Sequence, residues 1–246
     1  MVFTHIDIII LILAFFWSGI IRTGLGFGGT AFMLPIALLA VNSPLVIIPI
    51  IAVQLLLFSL LHIIQHNKNI DWRLILKLIV ILLIPVGAGL AGLLTIPNKL
   101  LMLLVYLIII FYAIYYIFPR IRVKVRTKLL DFLILWLGGY MIGLSLSGGV
   151  TVAAVVIKYF PKEKLRDSLF VLWALIAALK IIVFLSLGVA FHLKMQLWLL
   201  PAAIAGHFIG LKLHKYILVK QGRAFHVILG SALLLLSVLG LFKVFY

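Results

Sequence analysis

The stretch RTGLGFGGTAF, residues 22–32, places four glycines and one arginine between two apolar runs. A lipid bilayer offers no hydrogen bonds to the backbone, so a membrane helix is interrupted only where protein or a water-filled cavity satisfies the exposed groups. Glycine also allows a ligand to approach the main chain closely. We therefore interpret this stretch as a functional helix break at membrane depth.

The composition indicates an integral membrane protein that crosses the bilayer several times. Of 246 residues, 66% are hydrophobic and 11% are charged, whereas a soluble domain is about half apolar and about a quarter charged. The N-terminal residues lack a basic region and a small-residue cleavage site, so we expect a retained helix there. Runs long enough to cross about 30 Å of hydrocarbon recur at residues 45–64, 74–94, 100–118, 169–190 and 224–242.

The formal charge of +16 comes mainly from short loops. Sixteen of the 21 basic residues lie within residues 68–77, 120–128, 158–166 and 212–223. Short basic loops between apolar segments are typical of the cytoplasmic side of a membrane protein, so the charge does not indicate a nucleic-acid partner. The chain has no cysteine, and its histidines are scattered without ligand spacing. We therefore expect no disulfide, metal site or cofactor.

The two halves of the chain resemble each other. A shift of 120 residues aligns three pairs of glycines: Gly19 with Gly139, Gly28 with Gly148, and Gly29 with Gly149. Each half also contains a helix with proline and glycine (Pro85 or Pro201) followed by a final apolar segment.

These features predict an all-α polytopic fold with two inverted repeats of about five hydrophobic segments each, and about eight to ten segments in total. The predicted divisions are residues 1–118, a basic cytoplasmic linker at 119–128, and residues 129–246. Counting segments outward from the linker places both termini outside. The short segment pairs either cross fully or form re-entrant hairpins. Inverted repeats are common in secondary transporters, with the substrate site where the repeats meet.

The two glycine-rich breaks occupy equivalent positions in the halves. The helices that start after them present unpaired N–H groups and a positive dipole end, which together favour an anion. Alternatively, the small residues only allow membrane helices to pack closely. The predicted substrate-binding residues are Arg22, Thr23, Gly26, Gly28, Gly29 and Thr30 in the first break, and Ser145, Ser147, Gly148, Gly149 and Thr151 in the second.

Several stretches resemble the TauE/SafE sulfite-exporter family, also called TSUP. They are GIIRTGLGFGGTAFMLP (19–35), NKNIDWRL (67–74), GLSLSGG (143–149), KLRDSLFVL (164–172) and LPAAIAGHFIGLKL (200–213). The resemblance implies a multi-pass permease of the prokaryotic plasma membrane, driven by an ion gradient, for sulfite or organosulfonates. The second break departs from the family pattern, since Ser145 and Ser147 stand where glycine or another small residue is common.

Four further polar residues lie within apolar segments, where each is a functional hypothesis. Lys180 either extends to the outer interface or contributes to transport. Arg22 either pairs with the substrate or is an ordinary cytoplasmic base. His207 either bonds to a backbone carbonyl or takes part in proton coupling. Gln54 either bonds between helices or lines the pathway. The aromatic residues expected at the membrane interfaces are Trp72, Tyr106, Tyr159 and Trp198.

The absence of an acid in the middle of these segments favours an anionic substrate. The expected partners are this small anion, the lipid bilayer and a coupling proton or cation, with the oligomeric state left open. A passive anion channel would use the same helix ends. The SLSGG stretch also resembles a serine nucleophile loop, so an intramembrane protease using Ser147 and His207 is a weaker alternative.

Overall fold

The computed structural model describes residues 3–25, 28–118, 127–219 and 223–245, and these residues contain no β-strand. Within them lie a 3-10 turn at Asn67–Asn69 and ten α-helices: α1 His5–Leu25, α2 Gly29–Ala40, α3 Pro44–Gln65, α4 Trp72–Thr95, α5 Asn98–Ile117, α6 Lys128–Ser145, α7 Gly149–Val156, α8 Lys162–Ser186, α9 Leu193–Val219 and α10 Arg223–Phe245.

Among the described residues, seven helices are long and apolar enough to cross a membrane: α1, α3, α4, α5, α6, α8 and α10. Helix α9 has 27 residues. By contrast, α2 and α7 have 12 and 8 residues, which correspond to only about 18 and 12 Å against a hydrocarbon layer of about 30 Å. The predicted all-α polytopic fold is confirmed, and each of the two short helices is shorter than the hydrocarbon layer is thick.

Local sequence explains where several helices begin. At α1, Thr4 Oγ1 accepts the N–H of Asp7 at 3.2 Å, and the Asp7 carboxylate accepts the N–H of Thr4 at 2.9 Å. This reciprocal arrangement satisfies N–H groups that a helix start leaves without partners. Asp71 Oδ1 accepts the N–H of Leu74 at the start of α4, and Thr127 Oγ1 accepts the N–H of Leu130 at the start of α6.

The chain divides into two compact units, and each unit combines helices from both halves of the sequence. Unit 1 comprises residues 1–47, 96–125 and 193–246, and unit 2 comprises residues 48–95 and 126–192. The packing units therefore differ from the predicted divisions at residues 1–118 and 129–246. The division into two inverted repeats stays a prediction.

In unit 1, α1 packs along α9, α5 packs along α10, and α2 contacts α1, α5 and α10. The α1–α9 contact is close because it is made by glycines. A Cβ on Gly206 would overlap the carbonyl oxygen of Phe16, and one on Gly210 would lie 2.8 Å from that of Ile20. Small residues that let helix backbones approach are typical of packing inside membranes.

In unit 2, α4 packs along α6 in the same manner, while α7 contacts α6 and α8 contacts α4. A Cβ on Gly89 would overlap the carbonyl oxygen of Tyr140, and one on Gly143 would overlap that of Val86. In both units, therefore, the first helix of one half packs through glycine against the fourth helix of the other half.

The aromatic residues differ from their predicted interfacial placement at one position. Trp72, Tyr159 and Trp198 are exposed near helix ends, whereas Tyr106 is fully buried in α5. A Cβ on Gly240 of α10 would overlap the Tyr106 ring. The prediction for Tyr106 was wrong because its ring fills the space that Gly240 leaves open in the α5–α10 contact.

Candidate functional site

The first break lies between α1 and α2. Gly28 has a φ of 81° and a ψ of −4°, and α2 begins at Gly29. A Cβ on Gly29 would lie 2.8 Å from Arg22 Cβ and 3.0 Å from the carbonyl oxygen of Ser18. Ser18 and Arg22 lie about 20 and 26 Å from the start of α1, which is about 31 Å long. The start of α2 therefore lies beside the last third of α1.

Both ends of this α1–α2 hairpin lie at the same end of unit 1. Lys243 Nζ donates to the carbonyl oxygen of Leu39 near the end of α2, at 2.7 Å. The same lysine interacts electrostatically with Asp7 at the start of α1. The hairpin thus begins and ends at one end of the unit, with Gly28 and Gly29 at the opposite, deep end of the hairpin.

Two polar residues of α1 are buried at this deep end. Arg22 is 9% exposed and Thr23 is 2% exposed. Thr23 Oγ1 lies 2.7 Å from Nδ1 of the half-buried His207 on α9. From the sequence, the expected partner of His207 was a backbone carbonyl. The structure gives it a side-chain partner, Thr23. Thr30 is half-buried in the first turn of α2.

The second break lies between α6 and α7 in unit 2. Helix α6 ends at Ser145, Leu146 has a φ of 58°, and α7 begins at Gly149. Gly148 has an ordinary φ of −64°, but a Cβ there would overlap the carbonyl oxygen of Gly138 and lie 2.7 Å from the nitrogen of Ile142. Glycine is therefore required here by close packing, and the left-handed residue is a leucine.

The α6–α7 hairpin also begins and ends on one side of its unit. Asp131, in the first turn of α6, accepts hydrogen bonds from Lys158 Nζ at 2.9 Å and from Tyr159 Oη at 2.8 Å, just beyond α7. The hydrogen bond to this carboxylate raises the pKa of the Tyr159 phenol above its ordinary value. The two hairpins therefore share one design, with a polar connection at the open end and a glycine break at the deep end.

Hydroxyl groups gather at the second break. Ser145 Oγ and Ser147 Oγ are both buried and lie 2.6 Å apart, and Ser145 Oγ also donates to the carbonyl oxygen of Met141 at 3.1 Å. Thr151, 9% exposed in the first turn of α7, lies 3.9 Å from the Met141 sulfur. Hydroxyl hydrogens rotate to suit the acceptor that is present, so this pair is suited to an oxyanion.

Lys180 of α8 is fully buried behind the same break. Its Nζ donates to the carbonyl oxygens of Ile142 at 3.1 Å and Gly143 at 2.6 Å. These oxygens belong to the last turn of α6, where a positive charge is favoured, and the Ile142 oxygen also accepts the N–H of Leu146 at 2.9 Å. Lys180 does not extend to an interface, so that alternative from the sequence is wrong.

The remaining predicted residues are placed as follows. Gly26 and most of the linker at 119–128 lie outside the described residues. Gln54 is buried on α3, in unit 2. For the protease alternative, Ser147 bonds to Ser145 and His207 bonds to Thr23, so each has a partner other than the one that a catalytic pair requires. The described residues contain no group of three His, Cys, Asp or Glu side chains suited to a metal ion.

Sequence reasoning missed two contacts at the breaks and one between α3 and α8. Ser18 faces Gly29, and the Trp173 ring lies 3.4 Å from a Cβ placed on Gly149. His62 Nε2 lies 2.8 Å from Asp167 Oδ1, which connects α3 to the start of α8. A glycine in the sequence indicates that another residue packs closely there, but it does not identify that residue.

One protein family matches nearly the whole chain. Residues 11–240 match the family model described as Sulfite exporter TauE/SafE. The chain belongs to the TauE/SafE family. No curated protein and no solved structure matches it. This TauE/SafE protein is therefore a multi-pass membrane protein of a transporter family, as its sequence predicted.

Proposed function

We propose that this TauE/SafE protein is a permease for small sulfur-containing anions such as sulfite or an organosulfonate, which bind at the glycine-rich breaks. The observation that carries the proposal is the buried group at the second break, where Ser145 and Ser147 meet the start of α7 and Lys180 lies behind them. Hydroxyl donors, helix N–H groups and a cation form a combination suited to an oxyanion.

The first break offers related chemistry. Arg22 and Thr23 are buried beside the start of α2, and Gly28 exposes its backbone there. A guanidinium presents parallel N–H donors that match two oxygens of a sulfonate or sulfite. The proposal assigns an anion-binding role to each break, because the two breaks occupy equivalent places in the two halves of the sequence.

Transport into proteoliposomes tests this function directly. We expect uptake of one or more of sulfite, sulfate, thiosulfate, taurine and sulfoacetate above that of acetate. Replacing both Ser145 and Ser147 with alanine should lower the affinity for the transported anion about tenfold, since two donors are lost. Ser186→Ala is the matched control, because Ser186 is an exposed serine that donates only to the carbonyl oxygen of Val183. Acetate uptake equal to that of every sulfur anion contradicts the proposal.

A passive channel is the competing function, because the same helix ends would stabilise an anion in a pore. A permease accumulates the anion against its gradient when an ion gradient is imposed, whereas a channel only equilibrates it. The protease alternative makes a different prediction: Ser147→Ala would abolish peptide cleavage, while in a permease it only weakens transport.

A further inference from the structure

Lys180 is a fully buried amine whose hydrogen-bond acceptors are the backbone carbonyls of Ile142 and Gly143. Carbonyl dipoles offset only part of the cost of removing a full positive charge from water. A buried charge is normally paired with an opposite charge or is neutralised. The question is therefore what supplies the negative charge.

The acidic residues described in unit 2 are all near helix starts. Asp131 binds Lys158, Asp167 binds His62, Asp71 caps α4, and Glu163 is exposed in the first turn of α8. Asp167, on the same helix as Lys180, precedes it by about 20 Å. The ionisable residues of the elements that contact α8 or supply its acceptors are Arg73 and Lys77 on α4, Lys128, Asp131 and Tyr140 on α6, His62 on α3, and Lys68 on the 3-10 turn; α7 has none.

The number of hydrogen bonds is also informative. A neutral amine has two N–H donors, and Lys180 has two carbonyl acceptors. Protonation creates a third N–H donor and a positive charge. Both acceptors lie in the last turn of α6, so this donor and charge arise at the helix end that leads into the second break.

We propose that Lys180 is the proton-coupling residue of this permease, neutral when the second break is empty and protonated when an anion is bound there. The proposal rests on the anion binding described above. The amine takes one proton from water as the anion binds, forming a new N–H bond, and returns that proton when the anion leaves. Because binding energies are reciprocal, the anion favours the proton and the proton favours the anion by the same factor. A monovalent anion then crosses with no net charge.

Proton uptake on binding tests this coupling. The purified protein is titrated calorimetrically with methanesulfonate and with thiosulfate, two anions that do not themselves titrate near neutral pH. Each titration is repeated in two buffers of different ionisation enthalpy. We expect about one proton to be taken up per anion at alkaline pH. The affinity for the anion should fall by up to about tenfold for each unit rise in pH.

Two variants assign the proton to Lys180. Lys180→Arg keeps a positive charge that does not dissociate, so anion binding should persist with no proton uptake and no pH dependence. Lys180→Met, which also removes the titrating group, should bind more weakly and take up no proton. Lys243→Arg is the matched control, because Lys243 also donates to a backbone carbonyl but is exposed. It should retain wild-type uptake.

The outcomes separate this inference from the proposed function. Anion binding by the wild type without proton uptake overturns the coupling and leaves the permease function standing. Proton uptake that persists in both Lys180 variants overturns the assignment to this residue. If the wild type binds none of the sulfur anions, the proposed function fails, and this inference fails with it.

Discussion

Thr23 Oγ1 and His207 Nδ1 lie 2.7 Å apart and connect α1 to α9 at the deep end of the first hairpin. The two residues are 184 positions apart in the sequence. This hydrogen bond joins the helix that carries the first glycine break to the proline- and glycine-bearing helix of the other half.

We expect Thr23→Val and His207→Leu each to lower the free energy of unfolding by about 1 kcal/mol, with the double variant losing little more than either single one. Unfolding of the purified protein in mixed micelles measures these values. Thr95→Val is the control, since Thr95 donates to Ala91 within its own helix. Its effect should simply add to that of His207→Leu. Full additivity of Thr23→Val and His207→Leu would show that the bond contributes nothing.

Two glycines in α4 offer a matched test of the α4–α6 contact. A Cβ on Gly89 would overlap the carbonyl oxygen of Tyr140, whereas one on Gly87 would meet nothing within 4 Å. We expect Gly89→Ala to lower the melting temperature, because the helices must separate. Gly87→Ala should leave it unchanged or raise it slightly, because alanine favours a helix by about 1 kcal/mol over glycine. Equal melting temperatures for the two variants would contradict this packing.

Gly28 and Gly148 are glycines for different reasons, so they should respond differently to asparagine. Gly28 has a φ of 81°, a conformation that costs most residues about 1–2 kcal/mol but that asparagine adopts more readily. We expect Gly28→Asn to retain more stability and anion binding than Gly28→Ala. At Gly148, where a side chain would strike α6, both changes should be harmful. Thermal unfolding and anion titration measure both effects.

We expect Arg22 to be the counter-charge for a divalent anion at the first break. One helix N-terminus supplies only about half a positive charge, so a divalent anion at the start of α2 requires a further cation. We expect Arg22→Gln to weaken thiosulfate binding more than methanesulfonate binding, and Arg22→Lys to restore it only partly, because an ammonium lacks the planar donor pair. Equal losses for the two anions would exclude this role, and unchanged affinities would make Arg22 an ordinary cytoplasmic base.

The predicted topology places both termini outside and residues 119–128 in the cytoplasm. The natural chain has no cysteine, so single cysteines report accessibility without background. A membrane-impermeant thiol reagent applied to intact cells should label a cysteine at Thr4 or at Lys99 and should not label one in the linker. Labelling of the linker from outside would refute the inverted arrangement.

The sequence predicted the helices and breaks well, because the bilayer itself enforces them. Hydrocarbon requires long apolar segments, and it allows a glycine-rich break only where the backbone is satisfied. The starts of α2 and α7 at Gly29 and Gly149 follow directly from this constraint.

The sequence did not predict which helices pair. Lipid is as apolar as the side chains of the helices, so hydrophobicity does not select partners inside a membrane. The selection depends on complementary surfaces, such as Gly206 against Phe16, which appear only in three dimensions. The same limit applies to Lys180: its carbonyl acceptors lie on another helix, and no periodicity in α8 indicates them.

The composition of the units has a consequence for how the chain is made. Unit 2 ends at residue 192, so all of its helices have left the ribosome before α9 emerges. Helix α1 meets its glycine-lined partner α9 only after the intervening residues 26–192 have been made. Until then, the α1–α2 hairpin with Arg22 must reside in the bilayer without that partner. Premature termination before residue 193 should therefore leave a nascent chain whose first hairpin is recognised by membrane quality control.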